Sequence, residues 1–329
     1  MFMKKKPILA DLHTHLNEKK IEPKEWWRAV KKKKLSVIAI TEHSYYDPKE
    51  AYLKLKKTQP KGILLIPGVE AKTSAGDLLV YGENERIYDI EEILEKKVEI
   101  EKVLKAIKKH NLVASFAHPY GFKLDSVCEA LGEKEALKLT KRYKTGAEYY
   151  NGMLGSANQL LFGKKIFKKF YKVLDFLGHN RATSGLRINK PTNWTKAKME
   201  KLALKTIERV RQGMIFAKKT KFITVGSDAH YPRSIGSAVI ELKKMPKNEK
   251  EFLMMLKNKE ILWAGPNIYS HHPVDKIGRK EIFEGLLYLT KKKILKKPKM
   301  RIVKKIKQKI LQRKGIKRSK KISKVAKDE

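Results

Sequence analysis

The sequence predicts a mixed α/β fold built on a largely parallel sheet. Short apolar runs alternate with longer charged segments in which apolar residues recur at helical spacing. The alternation continues from residue 8 to residue 227, as expected for strands joined by crossover helices. A chain of 329 residues can form one large barrel or two ordinary domains, so length alone leaves both open.

The predicted strands are brief, apolar and bounded by turn residues or helical segments. They cover residues 8–13, 36–41, 63–70, 78–81, 112–117, 146–150 and 221–227. The predicted helices cover residues 23–34, 48–58, 90–109, 156–176 and 195–218. Two helical excursions, at about 121–142 and 154–193, are longer than a minimal barrel unit requires, and we expect them to form walls of the site.

The character of the chain changes at about residue 275, where a nearly acid-free basic segment begins. Within it, Ile302, Val303, Ile306 and Ile310 recur at the spacing of an amphipathic helix. Such a basic helix could lie on nucleic acid, on an anionic membrane or on the rest of the protein. We therefore predict one domain at residues 1–270 and a basic, partly helical extension at residues 275–329.

Composition restricts the partners and the compartment. The net charge is +41, with 76 lysines and arginines against 35 acidic residues, which favours a polyanionic partner such as RNA or DNA over salt adaptation or compositional drift. The single cysteine, Cys128, excludes an intramolecular disulfide and a cysteine-rich zinc site. No apolar stretch approaches the length of a membrane span, and the basic start leads into a strand, so we expect no signal peptide and a cytoplasmic location.

The histidines follow the predicted strands. Five of the nine lie at or just beyond a strand end, and Glu70 and Asp228 share this placement. The five are His13, His15, His43, His118 and His230. In a parallel α/β barrel these ends open on one face, and imidazole with carboxylate suits zinc, manganese or iron.

The pair His13 and His15 gives the strongest local indication of a metal site. Residues two apart on a strand point to the same side, so both imidazoles can reach one ion. Taken alone, the pair would more often be two ordinary strand histidines. Because five strand ends carry such residues, the sequence favours a metal cluster.

Five motifs in chain order carry a family resemblance. They are DLHTH at 11–15, ITEHS at 40–44, GVEAKT at 68–73, FAHPYG at 116–121 and GSDAHYP at 226–232. From residue 9 to about 242 the chain resembles the PHP family, the polymerase and histidinol phosphatase phosphoesterases. The resemblance implies a distorted, TIM-like, seven-stranded β/α barrel, two or three divalent ions (Zn, Mn or Fe) and hydrolysis of phosphate esters.

The resemblance also implies a ligand set. His13, His15, Glu70 and Asp228 would hold one ion, Glu70 and His118 a second, and His43 with His230 a third. The chain departs from the family pattern at two places. The loop after His15 is short and offers Glu18, and the hairpin after the Gly-x-Glu motif offers Asp77 where members often have histidine.

Such a site would hydrolyse a phosphate ester with a hydroxide that bridges two ions. If the third ion is absent, His43 or His230 could protonate the leaving oxygen, and Arg233 is a candidate for gripping phosphate.

The charge favours a nucleotide or oligonucleotide substrate. The alternatives are a small-metabolite phosphatase of the histidinol-phosphatase type and a nucleic-acid-binding protein whose metal site is degenerate or structural.

Overall fold

The computed structural model describes residues 6–121, 125–155, 172 and 189–269, and for residues 189–200, 202 and 203 the backbone alone. The strands are β1 (Ile8–Asp11), β2 (Leu35–Ile40), β3 (Leu64–Thr73), β4 (Gly76–Tyr81), β5 (Val113–Phe116), β6 (Gly146–Asn151), β7 (Ile223–Gly226), β8 (Ala238–Leu242) and β9 (Ile261–Pro266). The α-helices are α1 (Pro23–Lys32), α2 (Pro48–Lys57), α3 (Glu91–Leu94), α4 (Ile100–Lys109), α5 (Val127–Leu131), α6 (Glu133–Tyr143), α7 (Asn189–Lys218) and α8 (Glu249–Lys257). Two 3₁₀ turns lie at Glu85–Asp89 and Pro232–Ser234.

The strands form one strongly curved sheet in the order β7-β6-β5-β4-β3-β2-β1-β8-β9. The segments that follow β1 and β7 meet and close the barrel at its carboxyl end: the Leu12 amide donates to the Val225 carbonyl at 3.2 Å and the His15 amide donates to the Ala229 carbonyl at 3.0 Å. Strand β4 runs antiparallel to β3 and β5, which distorts the otherwise parallel barrel. The predicted mixed α/β, barrel-like fold is confirmed.

Two details of the sequence prediction were wrong. The helix expected at 90–109 is interrupted, because Val98 pairs with Thr73 of β3 and Glu99 then starts α4 by accepting hydrogen bonds from the Glu101 and Lys102 amides. Strands β8 and β9 were not predicted. They form an antiparallel hairpin that continues the sheet beyond β1.

Several predicted segments fall partly or wholly outside the described residues. The first excursion contains α5 and α6, and the helix expected at 195–218 is part of α7. Most of the second excursion, including nearly all of the helix expected at 156–176, lies outside the described residues, as does the whole basic extension at 275–329.

Alternate residues of the strands are buried in two different apolar clusters. On β2, Ile38 and Ile40 belong to one cluster with Trp26 of α1, whereas Val37 and Ala39 belong to the other. This period of two explains why strand residues face both the helices and the opposite strands. Among the described residues, no helix is both long enough and apolar enough to cross a bilayer.

Candidate metal centre

The segments at the carboxyl ends of the strands bring nine side chains together. They are His13, His15 and Glu18 after β1, His43 after β2, Glu70 on β3, Asp77 on β4, His118 after β5, and Asp228 and His230 after β7. They form three groups, and within each group the facing nitrogen and oxygen atoms all lie within 4.8 Å of one another. The sequence placed seven of them at one face and offered Glu18 and Asp77 as further candidates, and the structure brings all nine side chains together.

The inner group consists of His13, His15 and Asp228, all buried. Asp228 Oδ1 lies 3.6 Å from His13 Nε2 and 3.3 Å from His15 Nε2. Glu70 Oε2 lies 3.3 Å from His13 Nε2 and 3.5 Å from His15 Nε2. Two imidazoles and two carboxylates therefore face one point.

The rim group consists of His15, Glu18, His43 and His230. Glu18 Oε2 lies 2.8 Å from His230 Nε2 and 3.4 Å from His43 Nε2. The short loop after His15 thus brings an acidic side chain between two histidines that come from distant strands.

The third group consists of Glu70, Asp77 and His118. His118 Nε2 lies 3.1 Å from Glu70 Oε1. Asp77 Oδ2 accepts a hydrogen bond from Lys72 Nζ at 3.1 Å, and Lys72 also donates to Asp125 at 2.7 Å. Asp77 Oδ1 has no hydrogen-bond partner among the described residues, so it is available to a cation.

The inward-facing atoms fit metal ions. Within the described part of the chain, seven buried atoms of the candidate ligands lack a hydrogen bond: His13 Nε2, His15 Nε2, Glu18 Oε2, His43 Nδ1, Glu70 Oε2, Asp77 Oδ1 and His118 Nδ1. Burying so many unsatisfied polar atoms is costly unless cations satisfy them. Nitrogen and carboxylate oxygen are the donors of zinc, manganese and iron sites.

The pKa values of these groups follow from their mutual charges. Burial favours the neutral forms, but the attraction between imidazolium and carboxylate outweighs burial. The pKa of Glu70 therefore lies well below its usual value, and the pKa of His13 lies well above its usual value. His118 responds likewise: burial lowers its pKa, Glu70 raises it more, and the result is about 9. Burial and the neighbouring Glu70 raise the pKa of Asp77 to about 7.

A second layer of polar side chains, not predicted from the sequence, holds the inner imidazoles. Glu148 Oε1 lies 3.0 Å from His13 Nδ1, and Glu42 Oε1 lies 3.3 Å from His15 Nδ1. Asn151 Nδ2 donates to Glu148 at 3.0 Å and to Asp228 at 3.1 Å. Carboxylates in this position fix which imidazole nitrogen faces a metal. An acidic residue within the apolar run at 146–150 was the available signal for Glu148, and adjacency to His43 was the signal for Glu42.

The backbone around the site departs from ordinary geometry at two candidate ligands. Asp228 has φ 51° and His118 has φ 27°, both in the left-handed region that non-glycine residues seldom adopt. Gly226 precedes Asp228 at the point where β7 meets the end of β1, and a side chain there would collide with His13. The close approach of these two segments therefore depends on glycine.

Arg233 lies in the 3₁₀ turn Pro232–Ser234, three residues beyond His230, and its side chain is exposed. Its guanidinium carbon is 5.6 Å from the centre of the Tyr231 ring. Its predicted role in binding a substrate phosphate stays a prediction.

The fold and the site define an α/β-barrel protein with a candidate multi-ion metal centre at the carboxyl ends of its strands. Residues 211–261 match the family model described as PHP-associated. This match covers the part of the chain that carries Asp228 and His230, and it agrees with the resemblance to the PHP family that the ordered motifs show.

Solved structures of low identity resemble parts of the chain. PsfC from Pseudomonas syringae is 14% identical, with a TM-score of 0.45 over 75% of this chain and 88% of its own. A two-domain protein from Bacteroides vulgatus, containing a predicted PHP-like metal-dependent phosphoesterase, is 21% identical, with a TM-score of 0.35 over 45% of each chain. The lesion-specific endonuclease PfuEndoQ from Pyrococcus furiosus is 12% identical, with a TM-score of 0.42 over 77% of this chain and 56% of its own. No curated protein matches the sequence.

Proposed function

We propose that this protein is a divalent-metal-dependent hydrolase of phosphate esters and that its substrate is a nucleotide or oligonucleotide. One observation carries the proposal: three neighbouring groups of histidine and carboxylate lie at one face, and seven of their buried nitrogen and oxygen atoms lack hydrogen bonds within the described residues. A set of this kind is suited to more than one cation.

In this proposal each group holds one ion. His13, His15, Glu70 and Asp228 hold the inner ion, Glu70, Asp77 and His118 a second, and His15, Glu18, His43 and His230 a third. When bound, zinc, manganese or iron would polarise the phosphate and lower the pKa of a water molecule toward neutrality. Glu70 Oε2 lies near His13 and Glu70 Oε1 lies near His118, so this carboxylate would contribute to both of these sites.

The remaining roles fall to side chains at the rim. His43 and His230 both face Glu18, which favours the ligand role. If that position holds no ion, the same imidazoles are the groups placed to protonate the leaving oxygen. Arg233 would bind a substrate phosphate from the rim.

The substrate class rests on charge. A net charge of +41 produces a field that attracts polyanions. We assign residues 1–270 to a phosphoesterase domain and residues 275–329 to a basic extension, and we attribute part of the attraction to this extension. We infer cytoplasmic operation from the single cysteine, Cys128, which lies buried.

The test is a screen of phosphorylated metabolites, mononucleotides and short RNA and DNA strands with metal-free protein resupplied with Mn²⁺, Zn²⁺ or Fe²⁺. We expect release of phosphate or shortening of a strand, abolished by Asp228→Asn. Turnover of small metabolites alone would replace the nucleotide assignment with a histidinol-phosphatase type of substrate. The absence of turnover on every compound would reject the hydrolase proposal.

The second candidate is a nucleic-acid-binding protein with a structural metal site, and the net charge of +41 is the observation that favours it. Such a protein would keep salt-sensitive affinity for nucleic acid after His13→Ala and would lose much of it when residues after 276 are removed. The hydrolase would lose turnover with His13→Ala.

A further inference from the structure

Two exposed aromatic rings lie next to the rim of the metal centre. Tyr45 and Tyr46 follow His43 in the loop between β2 and α2, and they are 36% and 39% exposed. Their ring centres are 4.6 Å apart, and the Tyr45 ring stacks on the His43 ring with centres 5.1 Å apart and planes 6° apart. The rings of this aromatic pair therefore form an exposed aromatic surface directly beside His43 of the candidate metal centre.

The loop that carries the aromatic pair is held in place by hydrogen bonds. The Tyr46 amide donates to the His43 carbonyl at 2.9 Å, and the Ser44 amide donates to the Glu70 carbonyl at 3.2 Å. Asn17 Nδ2 donates to the Tyr46 carbonyl at 3.1 Å. These bonds hold the backbone of the loop that carries the rings, and a held loop lowers the entropic cost of binding against it.

A lysine supplies positive charge at the same place. Lys96 Nζ lies 4.3 Å from the centre of the Tyr45 ring. The segment that carries it is anchored on β3, because the Lys97 amide donates to the Lys72 carbonyl at 2.7 Å and the Ser74 amide donates to the Val98 carbonyl at 2.8 Å. Aromatic faces beside a cation are what proteins use to bind the bases and phosphates of single-stranded nucleic acid.

We propose that the aromatic pair stacks a nucleobase of the substrate while a phosphate of the same molecule occupies the metal centre. The inference rests on the proposed function and specifies its substrate: a base next to the reacting phosphate is recognised by its flat ring. An aliphatic phosphate ester offers no ring for this surface.

The test compares two strands that differ in their bases alone. One is a hexathymidylate with hydrolysis-resistant phosphorothioate linkages, and the other is an abasic strand of the same length and linkage. Fluorescence anisotropy would measure both with the full-length, Mn²⁺-loaded protein. Because the two strands carry equal charge, the ratio of their dissociation constants cancels the contribution of the basic surface.

We expect Tyr46→Ala to weaken binding of the thymidylate about tenfold and to leave binding of the abasic strand unchanged. Tyr46→Phe keeps the ring and should retain the wild-type ratio. Tyr269→Ala is the matched control. Tyr269 is 38% exposed and its hydroxyl donates to Glu241, which pairs with Leu9 near the start of β1, at the other end of the barrel.

Equal weakening of both strands by Tyr46→Ala, or weakening of neither, would overturn the inference. Hydrolysis of glycerol phosphate by the wild-type protein tests the proposed function separately, since that ester has no base. The two proposals can fail separately. If the wild-type protein hydrolyses neither glycerol phosphate nor unmodified strands, but Tyr46→Ala still weakens binding of the thymidylate alone, the hydrolase proposal is rejected and the base-binding surface is upheld.

Discussion

The inner and rim parts of the candidate metal centre are built differently. The His13 side chain is fully buried and is held from behind by Glu148, whereas the Glu18 and His230 side chains are each 17% exposed. The inner group has two imidazoles and one carboxylate and is joined by the Glu70 carboxylate, whereas the rim group has three imidazoles and one carboxylate. In the proposed centre, the inner ion would therefore be bound more tightly than the rim ion, which would be in contact with solvent.

The largest effect should come from Glu70, which contacts both parts: its Oε2 lies 3.3 Å from His13 Nε2 and 2.8 Å from His43 Nδ1. Glu70→Gln keeps the shape and removes the charge. We expect turnover to fall about a thousandfold, since charge stabilisation by metal ions is worth several kcal/mol. Turnover and bound metal should be measured together, with the exposed Glu135→Gln as control. Near-normal turnover would show that the two parts do not share this carboxylate.

Glu148→Gln tests whether the contact of Glu148 with His13 Nδ1 contributes to metal binding by the inner group. The substitution replaces the carboxylate that lies 3.0 Å from His13 Nδ1 and should lower metal affinity or activity by about 10- to 100-fold. A chelator competition assay measures the affinity, and thermal unfolding shows whether the fold is kept. Glu42→Gln, beside His15, is the companion variant. A change in unfolding temperature without a change in metal affinity would contradict the positioning role.

The inner and rim groups should differ in how their metal affinity depends on pH. Burial lowers the pKa of both rim histidines, but Glu70 and Glu18 raise the pKa of His43, and Glu18 and Asp228 raise the pKa of His230, above the usual value, so these imidazoles hold protons more strongly than free histidine does. A metal must displace them, and its affinity should therefore rise with pH, by about tenfold per pH unit for each proton displaced.

The rim group has more imidazoles, so it should lose its ion first when the pH falls. Metal content after dialysis at about pH 8 and about pH 6 checks this order, because histidine titrates in that window. Loss of the inner ion first would reverse the comparison.

Glu18→Gln should have the smallest effect. The rim is accessible, so water could take the place of the lost oxygen on a bound ion; activity should fall about tenfold or less, and the affinity for one equivalent of metal should fall. Metal analysis of the variant beside the wild type measures this. An inactive variant with full metal content would instead indicate that Glu18 acts on the substrate.

The sequence located the candidate ligands better than the residues that form hydrogen bonds to those ligands. His13 and His118 could be found because each follows an apolar run, and a parallel sheet collects such positions at one edge. Glu148 looks like an ordinary strand residue until β6 is seen beside β5, where its second oxygen accepts from the His118 amide at 2.8 Å. The partner of a buried imidazole depends on which strands are neighbours, and local patterns do not record this.

By itself, the sequence determined the alternation of strands and helices, the segments on which the nine candidate ligands lie and the excess of positive charge, because each follows from residue type and spacing. The tertiary structure alone decided the closure of β1 against β7 around Gly226, the antiparallel β4, the β8–β9 hairpin and the contact of Glu18 with both His43 and His230. These features join residues far apart in the chain, and their stability comes from the packed whole and not from any one segment.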